Sequence, residues 1–193
     1  MLYKFIEILL SAIALIPVFA MLHIIRFHNI KKTALYFVFA IYLAAVYLFV
    51  GMPTLQFMRF DVSLTLIPFL PMIGDLKNTI LNIILLVPLG AMLPFLWEKY
   101  NTIEATVAFG FMVSLFIELM QLFTYRATDI NDLIANTLGT LFGYFLFRMT
   151  SHLVPSIRNF AQRKNEVTLV ISPAILVMFF VQPYLASIFY KIT

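Results

Sequence analysis

Between Ile8 and Ile25 the chain runs for eighteen residues without an Asp, Glu, Lys or Arg, and stretches of that kind return along its whole length. An apolar run of roughly 20 residues crosses hydrocarbon as a helix, because in lipid only helices and closed barrels satisfy every backbone N–H and C=O. Six segments meet that description, at about residues 5–25, 33–52, 78–97, 103–124, 131–149 and 168–190. The expected fold is therefore all-α, a polytopic membrane bundle of about six helices. No polar block is long enough to fold separately, so residues 1–193 read as a single membrane domain. Lys4 followed by apolar residues imitates a secretory signal, but a run of eighteen exceeds the usual h-region, and this segment reads as a retained anchor.

Several chemistries are excluded at once. Cysteine is absent, which removes disulfides, thiolate nucleophiles and thiolate-held metals. The sequence has no Walker loop, dinucleotide fingerprint or G-x-S-x-G elbow, so neither a nucleotide cofactor nor serine hydrolysis is expected. The histidines, His23, His28 and His152, map away from the acidic residues, so zinc is not expected and histidine-dependent lipid phosphatase chemistry lacks its residue. The net charge of +4 lies mostly in short segments beside spans, which points to membrane lipid headgroups and not to nucleic acid. Counted over the connections, the first, third and fifth hold eight Lys and Arg and the opposite side holds five. That bias places both termini outside the cytoplasm.

The second connection, Pro53 to Asp75, is rich in apolar residues and interrupted by Pro53, Pro68 and Pro71, so one long helix is ruled out. It reads either as an interfacial or re-entrant segment lying over a polar site as a lid, or as an apolar loop packed on the bundle. The fifth connection carries Arg158, Arg163 and Lys164, an ordinary positive-inside anchor or an acidic-lipid patch. In the last span Pro173 and Pro183 predict kinks. Nothing in the chain duplicates itself as an inverted-repeat transporter would.

Polar residues concentrate in the middle of the chain and at helical spacing. Asn78 and Asn82 share one face at the start of the third span; Ser114, Glu118 and Gln121 form a stripe near the end of the fourth; Asp132 and Asn136 open the fifth. Gly139 and Gly143 continue the Asn136 face as a close-packing motif, read here as packing within the chain. On the topology above, all three stripes lie toward the outer ends of their helices and converge. A charged group at a bilayer centre costs about 2.5–3.5 kcal/mol on insertion scales, so such residues mark either a working site or helix-to-helix glue.

Burial of Glu118 opposes its ionisation unless Arg126 or Lys77 compensates, and it serves as a general acid when neutral or a base when paired. Asp129 and Asp132 are candidates to orient water or to hold a cation, and Arg126 to grip a phosphate or carboxylate. Asn78, Asn82, Gln121, Asn136 and Lys77 are the candidate substrate-binding residues. The surplus of carboxylates leaves open either shared protons or a divalent cation on oxygen ligands, with no dedicated metal site assigned.

Leu66-Ile67-Pro68-Phe69, Asn78 and Asn82 ahead of Pro88-Leu89-Gly90, Ser114 with Glu118-Leu119-x-Gln121, then Arg126, Asp129, Asp132 and Asn136-Thr137-Leu138-Gly139 with Gly143, together resemble the VanZ-like family. The resemblance runs from about Leu66 to Phe147 and shows no departure among the polar positions. It implies a bacterial protein of the cytoplasmic membrane, whose family namesake lowers susceptibility to the glycopeptide teicoplanin without remaking the peptidoglycan terminus. The expected function is an outward-facing acidic and amide pocket that acts on or binds a lipid-linked or lipidated glycoconjugate of the cell envelope. The alternatives are a non-catalytic protein that sequesters lipidated antibiotics or alters their access, and a proton-coupled small-solute transporter.

Overall fold

The computed structural model describes residues 2–56, 58–60, 64–65, 67–69, 72, 74–124, 128–162 and 164–192. The structure is helical almost throughout. Helix α1 spans Leu2–Leu22 and runs on through a π-helical turn, His23–Phe27; α2 spans Ile30–Val50, α3 Leu76–Leu96, α4 Ile103–Gln121 and α5 Ile130–Leu153. The last span is broken into α6 (Val167–Leu176), a π-helical turn (Val177–Val181) and α7 (Gln182–Ile192). Among the described residues, five helical segments are long and apolar enough to cross a membrane: Tyr3–Phe27, Ile30–Val50, Leu76–Leu96, Ile103–Gln121 and Val167–Lys191. Helix α5 is 24 residues long. With Asn131, Asp132, Asn136 and Arg148 in it, its length qualifies and its composition does not, and it accounts for the difference from six.

Helix starts are set by short polar side chains, which satisfy N–H groups that the first turn leaves without a partner. Asn29 Oδ1 accepts from Lys32 N at 3.1 Å before α2, Asp75 Oδ1 from Asn78 N at 3.1 Å before α3, and Thr102 Oγ1 from Ala105 N at 3.3 Å before α4. Helix α2 ends where Gly51 takes a left-handed conformation (φ 69°) that only glycine adopts without cost. Pro88 and Pro94 are both accommodated within α3. The break in the last span follows from Pro183, which has no N–H to offer the carbonyl of Phe179; that oxygen accepts from Leu55 N at 3.2 Å instead.

Contacts divide the chain into two compact units, Met1–Met58 with Glu166–Thr193, and Arg59–Asn165. In the first, α2 packs on α1 and on α6, around a core that includes Ala44, Tyr47 and Met178. A buried ion pair joins Lys32 to Glu166 at 2.5 Å, and Tyr36 donates its hydroxyl to the same carboxylate at 3.1 Å.

In the second unit α3, α4 and α5 run up, down and up, and the α3–α5 seam is its main contact. The seam is backbone against backbone. A Cβ on Gly139 would collide with the carbonyl of Ile83, one on Gly143 with that of Val87, and one on Gly90 with that of Thr140. Gly110 of α4 faces the Thr140 side chain, where an added Cβ would also collide. At the far end of this unit Trp97 bridges Gln162, with Glu98 N donating to Gln162 O at 3.1 Å and Gln162 N to Leu96 O at 2.8 Å. At the near end lie the start of α3, the end of α4 and the start of α5.

Candidate functional site

The end of α4 and the start of α5 are tied together by Glu118. Its side chain is 3% exposed, and its Oε2 accepts from Asp129 N at 2.8 Å, while its main-chain oxygen accepts from Thr128 Oγ1 at 2.9 Å. A carboxylate so placed meets the N-terminal end of α5, where the helix dipole favours negative charge by about 0.3–1 kcal/mol. Gln121, one turn further on, is also 3% exposed, and its carbonyl takes both the N–H and the hydroxyl of Thr124 at 3.0 Å. Ser114, one turn before Glu118, is fully buried and donates to Leu133 O at 3.5 Å.

Asp129 is the N-cap of α5. Its Oδ1 accepts from Asn131 N at 2.8 Å and from Asn131 Nδ2 at 2.7 Å. Asp132 stands half-buried in the first turn. Asn136, one turn deeper, is 2% exposed, and its Oδ1 has no hydrogen-bond partner among the described residues. On α3, Asn82 is half-buried and its Nδ2 is likewise enclosed and without a partner among the described residues. Buried amide atoms usually carry a hydrogen bond, and leaving one unmade costs about 1–3 kcal/mol, so two in one helical unit call for an explanation.

Of the residues expected to form the site, Glu118, Gln121, Asp129, Asp132 and Asn136 gather around the α4–α5 connection. Asn78 and Asn82 occupy the first two turns of α3 at the same end of the unit. Lys77 is exposed and pairs with no carboxylate among the described residues, and Arg126 lies outside the described residues. Among the described residues no three His, Asp or Glu side chains form a group that could hold a metal ion. Asp129, expected to orient water or hold a cation, has one carboxylate oxygen engaged by two N–H groups of Asn131.

Asn131 is the residue that sequence reasoning passed over. It is 4% exposed; its Nδ2 donates to Ile67 O at 2.9 Å as well as to Asp129, and its Oδ1 accepts from Phe69 N at 2.8 Å. The long second connection is thereby clamped onto the head of α5. Two more attachments hold it: a short parallel pairing of β1 (Leu64–Thr65) with β2 (Thr128–Asp129), and Arg59 N donating to Phe123 O at 3.0 Å, with the Phe60 and Phe123 rings 5.6 Å apart. No described part of this connection before Met72 is helical. Phe60, Ile67 and Phe69 remain 70%, 62% and 62% exposed on its outer side.

A family model described as VanZ/LLP1 matches residues 3–154. Protein VanZ of Enterococcus faecium is 33% identical over 90 residues, which make up 46% of this chain and 55% of that protein. The chain thus spans about half the length of that curated relative. No solved structure matches. The family match covers helices α1 to α5 and every residue of the site just described, and the chain belongs to the VanZ/LLP1 family.

Proposed function

We propose that the near end of the α3–α4–α5 unit binds the polar part of a lipid-linked or lipidated glycoconjugate of the bacterial cell envelope, at the outer face of the cytoplasmic membrane. One observation carries this reading: a buried amide donor, Asn82 Nδ2, and a buried amide acceptor, Asn136 Oδ1, stand without partners among the described residues, in a unit whose polar end carries exposed apolar residues. A sugar hydroxyl both accepts and donates, and is complementary to such a pair. Phe60, Ile67 and Phe69 supply the apolar surface that a lipid tail or an acylated antibiotic would take. By its VanZ-type resemblance, the protein then lowers susceptibility to teicoplanin-type lipoglycopeptides by engaging the drug or its membrane-bound target.

A second reading makes the same site catalytic, with Glu118 moving a proton. Its support is the enclosure of that carboxylate at the α5 N-terminus. The two readings separate on Glu118→Gln, which keeps size and hydrogen bonding and deletes ionisation. The test is teicoplanin and vancomycin susceptibility of a sensitive host carrying wild type, Glu118→Gln, or Asn82→Leu with Asn136→Leu, at matched membrane levels. Binding predicts selective protection against teicoplanin that survives Glu118→Gln and is lost in the double leucine variant. Loss in Glu118→Gln alone favours proton transfer. Full protection by the double leucine variant, or none by wild type, overturns the assignment of the amide pair to such a ligand.

A further inference from the structure

We propose that the α1–α2 hairpin holds one anionic phospholipid, with an acyl chain in the groove between the two helices and the phosphate at the cations of their connecting turn. The inference concerns the first unit and is independent of the reading given to the second. A groove of about 400 Å³, within the size range of small-molecule sites, is bordered by Ile16, Ala20 and Ile24 from the α1 segment and by Ile30, Ala34 and Phe37 from α2. From Ile16 to Ile24 it follows about 12 Å of helix at 1.5 Å per residue, a shape suited to an extended chain.

Two polar residues border it, and they bond to each other. His23 Nδ1 lies 2.8 Å from Thr33 Oγ1, and that hydroxyl donates to Asn29 O at 2.9 Å, so the imidazole Nδ1–H is the donor to the threonine. The lining is left apolar.

Charge marks one end of the groove. Arg26, His28 and Lys31 are exposed in the turn, beside the lining residues Ile24 and Ile30. No Asp or Glu occurs between Glu7 and Asp61, so the sequence places no acid in the turn beside Arg26 and Lys31. The neighbouring Lys32 is already paired, to Glu166 at 2.5 Å. Helix first turns favour acids, since the N-terminus carries the positive end of the dipole; α2 has none there and begins Ile30-Lys31-Lys32. A phosphate at this turn would meet the helix end, Lys31 and Arg26 together, directly above an apolar channel. A zwitterionic headgroup would bring an ammonium into the same cations, so the groove with its charge selects an anionic lipid.

The test uses the full-length protein in nonionic detergent, titrated with phosphatidylglycerol or phosphatidylethanolamine, with bound lipid counted by native mass spectrometry. Phosphatidylglycerol should be retained preferentially. Each cation near a membrane phosphate is worth about 1 kcal/mol, so Arg26→Gln with Lys31→Gln should lower retention well over tenfold. Ala34→Phe, at an exposed groove position, should lower it with all charges intact; Ala20→Leu is the gentler substitute if thermal unfolding shows that Ala34→Phe misfolds. Equal retention of the two lipids, or phosphatidylglycerol retention unmoved by both the charge and the groove variants, would leave only unselective annular lipid and overturn the proposal. A lipid-independent dimer that Ala34→Phe dissociates would overturn it in favour of a second copy of the chain.

Discussion

Asn131 shows how one side chain can fasten a loop to a helix. Its three amide contacts hold the Ile67 and Phe69 backbone to the α5 cap, and the side chain that makes them is 4% exposed. Asn131→Ala leaves the Phe69 N–H and the Ile67 carbonyl to find other partners, at a cost of about 1–3 kcal/mol. Hydrogen exchange at Phe69 should accelerate in that variant and also in Asn131→Asp, whose second carboxylate oxygen would face the Asp129 carboxylate and the Ile67 carbonyl where the amide donated. Wild-type protection in both variants would remove the clamp from the account. The residue was invisible to pattern reading because its partners are main-chain atoms more than sixty positions away, and backbone acceptors have no sequence signature. One clue was present: Asp129-x-Asn131 places a second amide-bearing residue immediately after a capping acid. By contrast Glu118, Gln121 and Asn136 were legible, since polar residues at helical spacing in an apolar run stand out on chemical cost alone. Asp129 was also noticed; that it caps α5 is what the geometry adds, since capping and catalysis ask for the same residue type at a helix start.

At the scale of elements, spacing identified Gly139 and Gly143 as a packing face and left the partner helix unnamed; the structure supplies α3. Gly139→Ala and Gly143→Ala push a methyl into carbonyl oxygens of that helix, and overpacking of this kind costs about 1–3 kcal/mol. Thr140 makes the seam asymmetric. Alanine at Gly90 would meet its main chain, whereas alanine at Gly110 would meet its side chain. Thr140→Ala should therefore partly restore the unfolding temperature lost in Gly110→Ala and restore none of that lost in Gly90→Ala. Equal rescue of both would contradict the packing described. Helix limits followed the hydropathy runs to within a few residues, because capping groups sit where the runs end. The break at Val177–Val181 was signalled by the prolines, whereas the donor that meets the freed Phe179 carbonyl, Leu55 N, was not.

For the whole molecule, the membrane character was plain from the apolar runs, and the division into two units was not. Nothing in a hydropathy profile says that Lys32 finds its partner 134 positions later at Glu166. The absence of cysteine makes side-specific labelling clean, since every introduced thiol is the sole one. If α3, α4 and α5 each cross the bilayer, Asn101→Cys and Ser156→Cys should label from the same side and Lys77→Cys from the other. Opposite labelling of Asn101→Cys and Ser156→Cys would show that α4 or α5 does not cross. The way the units are drawn from the chain also has a bearing on synthesis. Residues 59–165 are contiguous and can assemble as they leave the ribosome, but the first unit is closed by a segment that begins only at Glu166. Until translation reaches that point, Lys32 lacks the carboxylate that pairs with it, and the unit whose helices emerge before residue 59 is completed after the one that follows it.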